Sequence, residues 1–156
     1  MSGFLIALFI CLALAGSVMW VMPSPRDRRL AEMRQAALGK GIKVRLLDQK
    51  MADALFGWLP DYRGYCLYEN YQLFASLRSD QIQVLRLNEG EEMHELDKLN
   101  VLRQAFFESA LADEIPQSAE ALIIYPKGLS LLWREQGGTE AVAEVDAFLR
   151  KIAQQL

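Results

Sequence analysis

From Gly3 to Met22 the chain carries no charged side chain, and Arg26, Arg28 and Arg29 follow almost at once. This run constrains where the chain lives and how much of it is left to fold. At helical rise its twenty residues come to about 30 Å, the thickness of a bilayer's hydrocarbon core. The expectation is an uncleaved transmembrane anchor over residues 1–25, with the span at about 3–22. Trp20 stands where an interfacial aromatic belongs.

A cleaved signal peptide is the competing reading, because Ala13-Leu14-Ala15 precedes Gly16 as an A-x-A triplet. No Lys or Arg precedes the run, however, and it stays apolar past that point through Val18, Met19, Trp20, Val21 and Met22. Positive charge flanking a span is retained on the cytoplasmic side. Arg26, Arg28 and Arg29 are therefore expected as membrane-flanking basic residues. They imply an N-terminus outside the inner membrane and a C-terminus in the cytoplasm, in a single-pass topology.

The remaining residues, 26–156, are enough for one domain with a core. Charge is divided unevenly along them. Residues 26–45 hold seven basic side chains against Asp27 and Glu32, a net of +5, whereas Leu46 onward has a net of −8. The basic block suits an anionic lipid surface, and the acidic body is repelled by nucleic acid. The lipid bilayer is thus an expected partner and nucleic acid is not. Cys11 and Cys66 fall on opposite sides of the expected boundary, so a disulfide between them is not expected.

Local patterns predict an α+β domain with a small antiparallel or mixed sheet, covered by helices on one face. Ser24, Pro25 and Asp27 read as N-cap, N1 and N3 of a basic juxtamembrane helix at 25–39. Its apolar side is Leu30, Met33, Ala37 and Leu38, and Gly39 or Gly41 is its stop. Residues 42–47 alternate as a strand, 48–58 suggest a short helix, and 65–71 and 81–87 are two further strands. Leu96, Leu99, Leu102, Phe106 and Ala110 mark another helix. Strands at 122–125 and 129–135 are joined by Pro126-Lys127-Gly128, predicting a hairpin with a three-residue connection. Gly137-Gly138-Thr139 caps a final helix at 140–155. There Val142, Val145, Leu149, Ile152 and Leu156 alternate as in a coiled-coil seam, but two heptads are too few, and packing on the domain's own sheet is expected.

Chemical motifs are few. No phosphate-binding loop, nucleophile elbow or H-E-x-x-H pattern occurs, and Gly39-Lys40-Gly41 lacks a third glycine. No cofactor, metal or catalytic residue is expected. His94 lies in the acidic run from Glu89 to Asp97, and Glu91 with His94 supplies too few ligands for a closed metal site. Tyr62, Tyr65, Tyr68 and Tyr71 recur every third residue, either as a partner-binding aromatic surface or as core-edge filling. Trp133 is expected as a buried anchor, on one face with Leu129 and Leu131.

The apolar run, Pro23, Arg26, Arg28, Arg29 and Lys40-Gly41-Ile42-Lys43-Val44 together resemble the start of the YajC family, accessory subunits of the Sec translocase. That likeness covers about a quarter of the chain and departs after Val44, where Arg45-Leu46-Leu47-Asp48 replaces a Gly-rich strand and turn. More broadly the chain is similar to small single-pass inner-membrane proteins of Gram-negative bacteria. The resemblance implies a translocase accessory. The residues themselves point to a membrane-anchored accessory or interaction protein presenting a cytoplasmic domain to a membrane-protein partner, with no catalytic activity evident. A membrane-tethered enzyme with an acidic site is the third class. Oligomeric state is left open.

Overall fold

A computed structural model describes residues 2–73, 82–87 and 110–155, with side chains over the same residues except 2, 18–21, 110, 112 and 155. The chain divides into two compact units, Met1–Ala31 and Glu32–Leu156. The first holds helix α1 (Ser2–Val21) and the opening turns of α2 (Pro25–Gly39). Phe4, Phe9 and Leu12 on α1 are exposed, as are Leu5, Ile6, Leu8, Ile10 and Leu14. Between the two helices, the predicted capping box is present. Ser24 Oγ accepts from the Asp27 N–H at 3.2 Å, and Asp27 Oδ2 accepts from the Ser24 N–H at 3.3 Å.

The transmembrane element expected at residues 3–22 is corrected by the structure. Among the described residues, no helix is long and apolar enough to cross a membrane. The fold is α+β, and none of its described helices meets the length and apolarity of a transmembrane span.

In the second unit, α2 ends and turns into the sheet through a Schellman closure. The Ile42 N–H bonds the Ala37 carbonyl at 3.0 Å and the Gly41 N–H bonds that of Leu38 at 3.0 Å. Gly41 takes φ +78°, which a side chain there would resist, and Ile42 is buried against Ala37 in one core. Five strands follow among the described residues: β1 (Lys43–Leu46), β2 (Tyr65–Asn70), β3 (Gln83–Arg86), β4 (Ala119–Tyr125) and β5 (Gly128–Arg134). They form one antiparallel sheet in the order β1-β2-β5-β4-β3. Helix α3 (Gln49–Leu55) is started by Asp48, whose Oδ1 accepts from the Met51 N–H at 2.8 Å. A 3-10 turn at Ala110–Glu114 and helix α4 (Thr139–Gln155) complete the elements described.

Both faces of the sheet are covered, which corrects the one-face expectation. On the first face, Met33 and Ala37 of α2 and Val142, Val145, Leu149 and Ile152 of α4 meet Tyr68, Leu122, Leu129, Leu131 and Trp133. On the second, Ala52 of α3 and Phe56 just beyond it meet Leu67, Ile123 and Leu132. Residues two apart on a regular strand share a face, yet Ala119 joins the first core and Ala121 the second. The register shift between them makes Glu120 the extra residue of a bulge. Leu38, expected on the apolar side of α2, is exposed.

The hairpin connection is also shorter than predicted. Tyr125 pairs with Gly128, so only Pro126 and Lys127 lie between the strands. Gly128 is a strand residue whose missing Cβ admits Asn70 and Tyr71: a Cβ there would stand 2.7 Å from the Asn70 carbonyl oxygen and 2.8 Å from Tyr71 Cα. The tyrosines resolve for a similar reason. A three-residue step along a strand changes face, so Tyr65 enters the second core and Tyr68 the first, and they form no common surface. The predicted helix from Leu96 lies outside the described residues up to Ala110, where a 3-10 turn stands, and the acidic run with Glu91 and His94 lies outside them as well.

Candidate functional site

Arg26, Arg28 and Arg29 are all exposed in the first turns of α2. None makes an ion pair or side-chain hydrogen bond among the described residues. Asp27, the acid between them, is turned back on Ser24, whose Oγ donates to Asp27 Oδ2 at 2.7 Å. Its charge serves the cap, and the three guanidinium groups are left facing outward.

The next basic residues along the chain behave differently. One turn further on, Arg34 reaches Glu135, the residue just past β5, with Nε donating to Oε1 at 2.8 Å and Nη2 to Oε2 at 2.6 Å. This two-pronged pair is the geometry that the planar guanidinium favours. Tyr68 of β2 donates its hydroxyl to Glu135 Oε1 at 3.0 Å, and Arg34 Nη2 lies 3.8 Å from Cys66 Sγ. Just past the end of the same helix, Lys40 stands 4.0 Å from Asp146 of α4, which Arg150 also holds at 3.1 Å. Glu135 was missed at the level of sequence because its partner is 101 residues away. The available signal was an acid in phase with the buried positions Leu129, Leu131 and Trp133.

Electrostatics in this cluster favours one protonation state. Burial pushes the Glu135 carboxyl upward, but the hydrogen bonds and charge of Arg34 outweigh it and leave the group below its ordinary value. The Arg34 hydrogen bonds to Glu135 hold the guanidinium more firmly charged than usual. Burial, followed by the Glu135 charge, pushes the Tyr68 hydroxyl far up and the Cys66 thiol up to about 12. Near neutral pH the carboxylate and guanidinium are ionised, while the hydroxyl and thiol keep their protons. A protonated buried thiol is a poor nucleophile, and the arrangement works as a clasp fixing α2 to β2 and β5. Cys11 and Cys66 are both free, as expected from sequence.

An acidic groove lies elsewhere on the unit. It has a volume of about 220 Å³ beside Trp133, Gln136, Glu140 and Glu144. A neighbouring groove of about 330 Å³ shares Glu144 and is bordered by Asp113 and Glu114, the latter paired with Lys151. Among the described residues, no group of three or more His, Cys, Asp or Glu side chains could hold a metal ion. The indole of Trp133 is buried and donates to the Gln117 carbonyl at 2.8 Å, with the Tyr68 ring edge-on at 5.0 Å. It is a core anchor, as the strand alternation implied. No family model matches the chain, and neither the curated proteins nor the solved structures contain a match to it.

Proposed function

We propose that the chain is a membrane-associated accessory protein, in which α1 lies against lipid and the unit Glu32–Leu156 offers its surface to a partner in the same membrane. One observation supports this reading above the others. Large apolar side chains are exposed along α1, from Phe4 at 77% and Ile6 at 61% to Leu14 at 61%. A helix apolar all round needs an apolar surrounding, and lipid supplies it. Attachment to a shared surface raises the effective concentration of the folded unit for its neighbour, so modest surface affinity suffices.

The test is co-purification of the tagged full chain at native level in a gentle detergent, beside Ile6→Asp/Leu8→Asp. A membrane protein recovered stoichiometrically with the native chain and lost with the variant is the expected result. Recovery of no membrane protein, or equal recovery with the variant, would refute the proposal.

A further inference from the structure

We infer that Arg26, Arg28 and Arg29 form a docking surface for anionic phospholipid headgroups and make the attachment selective for negatively charged membranes. The inference rests on the lipid-facing role of α1 proposed above and adds the class of lipid. It starts from the position of the arginines. A helix N-terminus carries partial positive charge, so cations in its first turns are unfavourable for the helix itself. Arg26, Arg28 and Arg29 occupy those turns, between the Pro25 start and Leu30. Helix stability does not account for three of them there.

Partners within the fold do not account for them either. Arg34 on the same helix and Lys40 just past its end are drawn into pairs with Glu135 and Asp146. Arg26, Arg28 and Arg29 are exposed, and among the described residues they have no ion pair. The nearest acid, Asp27, is bound to both the Ser24 hydroxyl and the Ser24 N–H. The capping box therefore engages the adjacent carboxylate in the cap and fixes the turn on which the cluster stands. Glu32, one turn on, is exposed and among the described residues pairs with none of the three arginines.

Sequence proximity supplies the remaining argument. Only Met22, Pro23, Ser24 and Pro25 separate Val21, the last residue of α1, from Arg26. Anything apolar that accommodates α1 must present its border to the arginines, and the border of a lipid layer is its headgroups. Guanidinium groups bind phosphate oxygens through paired N–H donors, and an anionic lipid adds the net charge that a zwitterionic one lacks.

The experiment uses the full chain, introduced from detergent to vesicles of phosphatidylcholine alone or of phosphatidylcholine with about a third phosphatidylglycerol. The chain is compared with R26Q/R28Q/R29Q and with R26K/R28K/R29K. Three basic residues near the surface correspond to a preference for the anionic vesicles on the order of a hundredfold at low salt. That preference should shrink as salt shortens the Debye length, vanish in the glutamine variant and largely persist in the lysine variant. Equal binding of the native chain to both vesicles, or an undiminished preference in the glutamine variant, would overturn the inference while leaving lipid attachment through α1 intact. Absence of binding to either vesicle would remove both.

Discussion

Replacing Glu135 by glutamine tests the clasp that fixes α2 to the sheet. The carboxylate accepts three hydrogen bonds, two from Arg34 and one from Tyr68. An amide oxygen in the Oε1 position can keep both Tyr68 and Arg34 Nε as neutral-acceptor bonds, and its N–H groups then face Arg34 Nη2, whose bond is lost. Hydrogen bonds to charged groups contribute about 1.5–3 kcal/mol each, so the one lost bond sets a scale of up to roughly 3 kcal/mol. Arg34 keeps 35% of its side chain in water and regains hydration when released, which reduces the net cost to about 2 kcal/mol. Urea unfolding of the full chain, followed by tryptophan fluorescence, measures it. A double-mutant cycle with Arg34→Met should give a coupling on the order of 1.5 kcal/mol. A cost below about 0.5 kcal/mol, with no coupling, would show that the pair holds nothing.

Acid should weaken the native chain through the same group. Because the folded-state pKa of Glu135 lies below its ordinary 4.5, its stabilisation is complete above that value and is lost as pH falls through the depressed one. Glu135→Gln should remove that part of the acid sensitivity, which unfolding midpoints between about pH 3 and 6 would reveal. Trp133→Ala should cost on the order of 3 kcal/mol or more, since it empties a buried site and leaves the Gln117 carbonyl without its donor; a loss below about 1 kcal/mol would contradict the burial. Gly128→Ala should cost about 2 kcal/mol because the new Cβ meets the backbone of Asn70 and Tyr71, and a neutral result by urea unfolding would contradict that approach. Cys66, buried with its thiol pushed up to about 12, should resist alkylation at pH 8 until the chain is unfolded, as peptide mass spectrometry can show.

Features encoded within a few residues were legible in the sequence. The Ser24–Asp27 cap, the glycine stop of α2 and the amphipathic α4 each depend on neighbours, and each appears where expected. What depended on strands far apart was not legible. Covering of the second face needs Phe56 and Tyr65 to converge, and the Glu120 bulge leaves no mark in the hydrophobic pattern. Gly128 read as a turn residue because its reason, the approach of Asn70 and Tyr71, lies on β2. For the candidate site, hydropathy identified the apolar helix and its arginines but overstated them as a membrane crossing. Arg34 and Glu135 were invisible as a pair because topology alone brings them together.

The most direct test of membrane association is flotation of the full chain with lipid vesicles, native against Ile6→Asp/Leu8→Asp. These two exposed positions lie about 200° apart around α1, so the variant leaves neither side wholly apolar. An aspartate in an apolar surrounding costs on the order of 3 kcal/mol, enough in two copies to abolish attachment through this helix. The account predicts that the native chain floats with the vesicles and the variant stays at the bottom of the gradient. A variant that floats as well as the native chain would contradict it.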